Sequence, residues 1–401
     1  MLKIYIRKNT SYHYPVLYTL LLIEKNRGIR FNFTDSADTA DLAWDHEYPR
    51  SEIISKEFYD ELAKENPELS HTRIFKDEQL IRDSSNRKDL IATIFYMVNC
   101  LQEYSLGENE LDGFGRFRYE SSYQKRFSSI EKNLVQQYID EFCDEKNIGG
   151  SPKASAFFIS HDIDTIYGSL LQDGYWALKN LRVGAMLSLI AGEIGRRPHW
   201  KNMDRIIRIN SECDVKSTFF WLVNKGKGRQ NIRNADYSIQ KEQSLLQEVS
   251  EKGFVNGLHK STMEMSFEEE LAMGKIIEPY NRYHFLNFLP PNHWPELSKS
   301  PITFDSSLGF AEHYGFRNSY GSAFQPYDIK NNRPFGFVEA SLTFMDTTFH
   351  HYMKMESEKI ADIIINFYQT NPHHCIFSLL WHNTYFTDYK YGGYLAEYKK
   401  I

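Results

Sequence analysis

Short apolar runs alternate with longer amphipathic stretches through the second part of the chain, from residue 151 onward. The apolar runs predict strands at 156–160, 217–223, 254–258, 284–288, 302–305, 336–340 and 375–381. The amphipathic stretches predict helices near 174–191, 201–212, 239–252, 267–280 and 356–370. Alternation of this kind is typical of βα units with a mainly parallel sheet. About seven strands in roughly 245 residues favour a (β/α) barrel over a compact open sheet.

The first 150 residues show a smaller α/β pattern of their own. Strands are predicted at 2–6 and 29–33, and helices at 15–25, 89–104 and 129–145. The segment Gly149–Lys153 interrupts both helix and strand patterns, which favours a linker. We therefore expect a small α/β domain at 1–150 and a barrel at 151–401. The loop Gly113–Arg118 lacks the flanking strand and helix that a phosphate-binding loop needs.

Polar side chains stand where the predicted strands of the second part end. The first strand is followed by two carboxylates, Asp162 and Asp164, which the capping of a following helix would also explain. Comparable polar positions flank the other strands: His259, Ser261, Arg282, His284, Asp305, Trp381 and His382. Because the carboxyl ends of barrel strands meet at one mouth, we expect these side chains to converge on one site.

The residue types at these positions suit metal-assisted hydrolysis. An Asp together with His residues forms a nitrogen and oxygen ligand set suited to Zn²⁺ or a similar divalent ion. A second carboxylate could deprotonate water, and a His on the opposite side could protonate a leaving amine. Ser261 has two interpretations, either a nucleophile or a hydroxyl that hydrogen-bonds its loop or a neighbouring ligand.

The order of these segments, over about residues 154–390, resembles the polysaccharide deacetylase family. This is also called the NodB-homology or carbohydrate esterase family 4 domain. The stretch that ends in Asp162-Ile163-Asp164 is similar to a divergent form of the first motif, which implies Asp162 as the catalytic base and Asp164 as a metal ligand. By the same resemblance His259 is a second metal ligand. Arg282 orients the base, and His382, in Leu-Trp-His, is the general acid.

The resemblance also implies a fold and a reaction. It implies a distorted (β/α)7 barrel and a divalent metal, most commonly Zn²⁺. The reaction would remove an acyl group, N-acetyl above all, from a carbohydrate or a related amide. An uncharacterised bacterial subgroup with an extra N-terminal α/β domain is similar too, in Asp305–Phe310 and Gly315–Arg317.

One position departs from the family pattern. Met263 stands where a second metal His is usual, and a thioether is a poor zinc ligand. We expect His284 to complete the ligand set, with His161 as a second candidate that could instead hydrogen-bond Asp162. Two further carboxylates lie near a predicted strand end, Glu339 and Asp346. Asp346 is a candidate pocket residue, with a turn or cap as the alternative.

Composition narrows the classes of protein. The net charge of −6 argues against general nucleic-acid binding. The four cysteines form no C-x-x-C pair, so we expect reduced thiols. The run Val16–Ile23 is too short to span a bilayer, and the first residues predict a strand, not a signal sequence. We therefore expect a cytoplasmic protein.

Two other hypotheses remain open at this point. Aromatic residues make up 15% of the chain, and aromatic rings pack on sugars as well as in cores. Together with Met263, this favours a catalytically silent barrel that binds a glycan or a protein partner. The other hypothesis is a different metal-dependent amidohydrolase on a barrel.

Overall fold

The first block of the chain contains a small parallel sheet flanked by helices. The computed structural model describes residues 2–168, 170–195, 200–387 and 389–401. The strands are β1 (Lys3–Ile6), β2 (Asn32–Phe33) and β3 (Leu42–Trp44), in the order β2-β1-β3. The helices are α1 (His13–Arg27), α2 (Lys56–Leu62), α3 (His71–Ile74), α4 (Leu90–Val98), α5 (Tyr123–Arg126) and α6 (Leu134–Glu145).

Local sequence signals explain the ends of two of these helices. Pro15 lies in the first turn of α1, where its missing N–H costs nothing, and Gly28 closes the helix with a φ of 68°. Asp89 caps α4 by accepting a hydrogen bond from the backbone N–H of Ala92 at 2.9 Å. The helix predicted at 89–104 therefore starts as expected, but α4 ends at Val98.

The second block contains a large parallel sheet. Its strands are β4 (Ala156–Ile163), β5 (Ser217–Trp221), β6 (Val255–Lys260), β7 (Tyr280–Tyr283), β8 (Phe304–Asp305), β11 (Val338–Glu339), β12 (Leu342–Met345) and β13 (Ile376–Leu380). The strand order is β11-β8-β7-β6-β5-β4-β13-β12, and every pair is parallel. A separate antiparallel pair is formed by β9 (Tyr327–Asp328) and β10 (Arg333–Pro334).

Helices connect these strands. They are α7 (Leu170–Lys179), α8 (Val183–Ile194), α9 (Met203–Glu212), α10 (Gln243–Glu251), α11 (Phe267–Gly274), α12 (Pro290–Ser298), α13 (Ile360–Thr370) and α14 (Tyr394–Lys400). The helix predicted at 174–191 is two helices, because the chain turns at Leu181 with a φ of 53°. Among the described residues, none of the helices is both long enough and apolar enough to cross a membrane.

Six of the seven predicted strands are present at their expected places, and one is wrong. Residues 284–288 are not a strand. Instead β7 precedes them, and His284–Leu286 form a 3-10 turn in which Phe285 has a φ of 59°. The apolar run there belongs to a buried turn. The spacing of apolar residues alone does not distinguish a buried turn from a short buried strand. The strand β12 was not predicted.

The large sheet is curled into a half-barrel. Its two edge strands, β11 and β12, are separated in the chain by only residues 340–341. Side chains also meet across the concave face: Ser306, which follows β8, lies 2.9 Å from Ser378 of β13 between their hydroxyl oxygens. The expected barrel-like α/β architecture is therefore present.

The two blocks share one hydrophobic core. A single cluster of buried apolar residues includes side chains from β1, α1 and α4 as well as from the large sheet. Glu103 of the first block forms a fully buried ion pair with Arg317 of the second, with Oε2 and an Nη atom 2.7 Å apart. The division into domains at 1–150 and 151–401 stays a prediction.

Candidate functional site

The carboxyl ends of several strands of the large sheet open onto one cavity. It has a volume of about 330 Å³. Side chains from β4, β6, β7 and β13, or from the residues directly after them, form its floor. The lining residues are Arg116, Asp162, Asp164, His259, Tyr283, His284, Phe285, Leu286, Met345, Thr347, His351, Tyr352, Leu380 and His382.

Three of these residues could hold a metal ion. One ligand atom from each of Asp164, His259 and His284 lies within 4.8 Å of the other two. The Oδ1 atom of Asp164 is 3.3 Å from Nε2 of His259 and 3.8 Å from Nε2 of His284. Donors about 3.4 Å apart are what a tetrahedral ion with bonds of about 2.1 Å requires.

The hydrogen bonds at this cluster leave the required atoms free. Nδ1–H of His259 donates to the carbonyl of Arg282 at 2.9 Å, so Nε2 is the ring atom that faces Asp164. Oδ1 of Asp164 is buried and has no hydrogen-bond partner among the residues that the structure describes. A buried polar atom of this kind requires compensation, which a cation would supply. The oxygen and nitrogen donor set fits Zn²⁺.

The charges at the cluster also suit a cation. Burial lowers the pKa of His284 to about 4, so this ring is neutral, as a metal ligand must be. Burial opposes ionisation of Asp164, but the surrounding histidines hold its pKa well below the usual range. Burial lowers the pKa of His259, while Asp162 and Asp164 outweigh it and raise that pKa. A cation at His259 therefore has to displace a proton.

Asp162 is held by an arginine at the bottom of the cavity. Nη1 of Arg282 donates to Oδ1 of Asp162 at 3.1 Å, and the guanidinium also bonds Ser160, Ser306 and Ser378.

The Arg282 guanidinium also packs on an aromatic ring: it lies 4.8 Å from the centre of the Phe220 ring. Gly257 makes room for that ring, since a Cβ there would lie 2.7 Å from it. This scaffold orients one carboxylate oxygen, while Oδ2 lies 3.5 Å from Nε2 of His259.

His382 pairs with a buried carboxylate on the other side of the cavity. Its Nδ1–H donates to Oδ1 of Asp346 at 2.7 Å, and its backbone N–H donates to Oδ2 of Asp346 at 2.5 Å. Burial favours the neutral ring, but Asp346 outweighs it and raises the pKa of His382 to about 10. Nε2 of His382 lies 3.8 Å from Oδ2 of Asp164. The protonated ring is thus placed to donate into the cavity.

His161 and Trp381 lie outside this cluster. Alternate side chains of a strand face opposite sides, so His161 points away from the cavity when Asp162 points into it. Its Nδ1–H donates to the carbonyl of Trp381 at 2.8 Å, and Nε2 accepts from Asn210 at 3.0 Å. Trp381 packs on Tyr394 and Tyr398 in the core. The structure therefore does not bring these two residues to the cavity.

Ser261 and Met263 line a different, smaller cavity of about 80 Å³. The Ser261 hydroxyl donates to Oε1 of Glu270 at 2.6 Å and accepts from the backbone N–H of Met263 at 3.2 Å. Glu270 belongs to α11, and the Met263 N–H belongs to the loop of Ser261 itself. These bonds agree with the second interpretation of Ser261, in which its hydroxyl hydrogen-bonds its loop. His284 borders both cavities, and it is His284, not Met263, that joins the group of ligand atoms.

Asp305 lies on the helix-facing side of the sheet. Its Oδ1 accepts from Asn281 at 2.6 Å, and its neighbour in the register is Glu339 of β11, which accepts from the indole of Trp294 in α12 at 3.2 Å. Both carboxyls are fully buried. Burial raises the pKa of both, and Asp305 raises that of Glu339 further. The pair therefore favours a bound proton.

Replacing Glu339 by Gln is expected to remove part of the pH dependence of stability. A carboxyl whose folded pKa is raised stabilises the fold below its usual pKa of about 4, and this contribution is lost as the pH rises through the folded value. Glu339→Gln keeps an acceptor for Trp294 and carries no charge. In urea unfolding, the free energy of unfolding of the variant minus that of the wild type should rise by about 1 kcal/mol from pH 5 to pH 8. Parallel profiles for wild type and variant would contradict this, and Glu358→Gln, at an exposed position, is the control.

The first block contributes a wall of the cavity that sequence reasoning missed. Arg116 is buried, donates to the Phe285 carbonyl at 2.9 Å and to the Tyr352 hydroxyl at 3.1 Å, and pairs with Asp112 at 2.7 Å. The local sequence does not distinguish Arg116 from Arg118, whose side chain is exposed. Only the packing of this loop against the mouth of the curled sheet identifies Arg116.

The chain matches a protein family over its first part and is distantly similar to a solved structure. Residues 2–145 match a family of unknown function, DUF7033. No curated protein matches the chain. Among solved structures, a polysaccharide deacetylase from Bacillus cereus is similar, at 13% identity and a TM-score of 0.27, covering 61% of this chain and 85% of that one. A likeness this distant carries no argument about activity.

Proposed function

We propose that this protein is a metal-dependent hydrolase that removes an acyl group, most commonly N-acetyl, from a carbohydrate or a related amide. One observation supports this above all. A possible ligand set (Asp164, His259 and His284), a carboxylate held by Arg282 and a His paired with Asp346 line the same cavity. The acyl-sugar substrate comes from the motif resemblance, and the aromatic side chains Tyr283, Phe285 and Tyr352 in the cavity suit sugar packing.

The proposed roles follow from these contacts. Asp164, His259 and His284 would hold the cation, for which Zn²⁺ is the leading candidate. Such an ion, when bound, lowers the pKa of water and polarises a carbonyl group. Asp162 takes a proton from the attacking water while Arg282 holds the other carboxylate oxygen in place. His382 delivers a proton from Nε2 to the leaving nitrogen, and Asp346 keeps the ring protonated and fixed.

We further infer that the large sheet is a distorted (β/α)7 barrel. The strands β11 and β12 would count as one interrupted strand, since two residues separate them at opposite edges of the sheet. The wall supplied by Arg116 and the cavity volume of about 330 Å³ favour a small substrate or a chain end. The four cysteines are unpaired, which supports the cytoplasmic location inferred from sequence.

Metal content tests the proposal. Purified wild-type protein is expected to carry about one divalent ion per chain. His259→Gln and His284→Gln should each weaken metal binding by about tenfold or more, because each removes one of three protein ligands. His351→Gln is the matched control, since His351 also lines the cavity but lies outside the ligand group.

Turnover separates the proposal from the alternatives. A panel of N-acetylated monosaccharides, chitooligosaccharides and aryl acetates should reveal hydrolysis that needs the metal. Absence of metal together with absence of turnover would favour the catalytically silent barrel. Turnover of amides that carry no sugar, with no turnover of the sugars, would favour a different amidohydrolase.

A further inference from the structure

The helical hairpin formed by α7 and α8 exposes an unusual amount of apolar surface. Of the hairpin side chains that the structure describes, seven large apolar ones are exposed: Tyr175, Leu178, Leu181, Val183, Leu187, Ile190 and Ile194. Leu181 at the turn is 87% exposed and Ile194 at the end of α8 is 80% exposed. Large exposed apolar patches mark interaction sites in soluble proteins.

The exposed residues of α8 follow helical spacing. Val183, Leu187, Ile190 and Ile194 are separated by four, three and four residues, so they form one stripe along the helix. The opposite side of the hairpin is the packed side, where Ala177 and Leu189 join Trp200 and Tyr389 in a small core. The exposed stripe is therefore a second apolar face, in addition to the face that packs on the protein.

The exposed charges at the turn of the hairpin are basic: Lys179 and Arg182. Asp173 of α7 is buried and pairs with Lys390, α8 also contains Glu193, and the sequence continues after the hairpin with Arg196 and Arg197. An apolar helix face flanked by Lys and Arg is the pattern of helices that lie in a membrane interface.

The hairpin is attached to the loops that carry the candidate site. Asp164 lies six residues before α7. Asn383, directly after His382, donates to the carbonyl of Thr165 at 2.7 Å and to the carbonyl of Trp200 at 2.9 Å. The segments before and after the hairpin are thus bonded to the loop of the proposed general acid. The apolar stripe belongs to the same end of the sheet as the cavity.

We propose that the α7–α8 hairpin docks the protein on an anionic phospholipid surface, so that the cavity receives its acylated substrate from a lipid carrier. This inference depends on the proposed function for its substrate. Helices of 10 and 12 residues are shorter than the roughly 20 residues that cross a bilayer, so the hairpin lies on the surface. Leu, Ile and Val side chains enter the acyl region, and the basic residues contact lipid phosphates.

Vesicle flotation tests the docking. Wild-type protein should float with vesicles of phosphatidylcholine and phosphatidylglycerol at 3:1, and less with pure phosphatidylcholine or at high salt, because salt screens the lipid charge. The double variant Leu187→Glu/Ile194→Glu should lose about tenfold or more of this binding. Ile277→Glu is the matched control. Ile277 is 90% exposed and lies before β7, at the opposite end of the sheet.

The possible outcomes distinguish this inference from the proposed function. Loss of flotation in the double variant, with unchanged metal content and unchanged turnover of a soluble N-acetylated sugar, supports docking. Absence of wild-type flotation, or equal flotation of the double variant, overturns docking without touching the hydrolase proposal. A wild-type dimer in light scattering that the double variant abolishes would assign the stripe to a second copy instead.

Discussion

Replacing Asp162 by Asn is expected to lower kcat for acyl hydrolysis by about 10²–10⁴-fold, the usual contribution of a general base. The amide fills the same space and its oxygen still accepts from Arg282, which is 3.1 Å away in the wild type. It cannot take a proton from water. Metal content should stay close to wild type, since Asp162 is outside the ligand group. The midpoint of thermal unfolding should fall, because the buried Arg282 loses its charged partner.

The comparison with Asp164 makes this experiment specific. Asp164→Asn removes a proposed ligand, so it should lower both metal content and turnover. If Asp162→Asn retained most of the wild-type kcat, Asp162 would not be the base. If it lost metal as Asp164→Asn does, Asp162 would be a ligand as well.

Replacing Arg317 by Met is expected to destabilise the protein by about 3–5 kcal/mol, the typical effect of breaking a buried ion pair from one side. Arg317 is buried, with Nε 3.0 Å from Oε1 and an Nη atom 2.7 Å from Oε2 of Glu103. Its guanidinium also donates to the carbonyls of Gly309 at 2.9 Å and Phe288 at 3.2 Å. The substitution leaves the Glu103 carboxylate buried without a partner. Urea unfolding followed by circular dichroism measures the loss.

Two further variants test whether the lost stability comes from the unpaired buried charge. The double variant Glu103→Gln/Arg317→Met should regain part of the stability, because no unpaired charge remains buried. Lys359→Met is the surface control. It breaks an exposed pair with Glu356 and should change stability by about 0.5 kcal/mol or less. A loss below about 1 kcal/mol in Arg317→Met would contradict the argument.

The same pair bears on the predicted domain boundary. Residues 151–401 produced alone would contain Arg317 without Glu103 and would expose the apolar side chains that face the first block. We expect this fragment to unfold at a lower temperature than the whole chain. Equal stability would instead support the independent barrel that the sequence predicts.

The sequence alone predicted much of the sheet, because strands buried on both faces are continuous apolar runs with turn-forming or polar residues at their ends. It located β4, β5, β6 and β13 and singled out Asp164, His259 and His284, which the structure brings within ligand distance of each other. The strand predicted at 284–288 was wrong because an apolar turn and a short strand have the same local pattern.

Only the tertiary structure decided which polar residues face the cavity. His161 and Asp162 are neighbours in the sequence, yet alternation along β4 directs one to the core and the other to the cavity. Arg116 reaches the cavity from a loop 40 residues before the start of β4. The exposure of the α7–α8 stripe likewise depends on what packs against it. Local patterns determine which residues form strands and helices, whereas long-range packing determines which side chains meet.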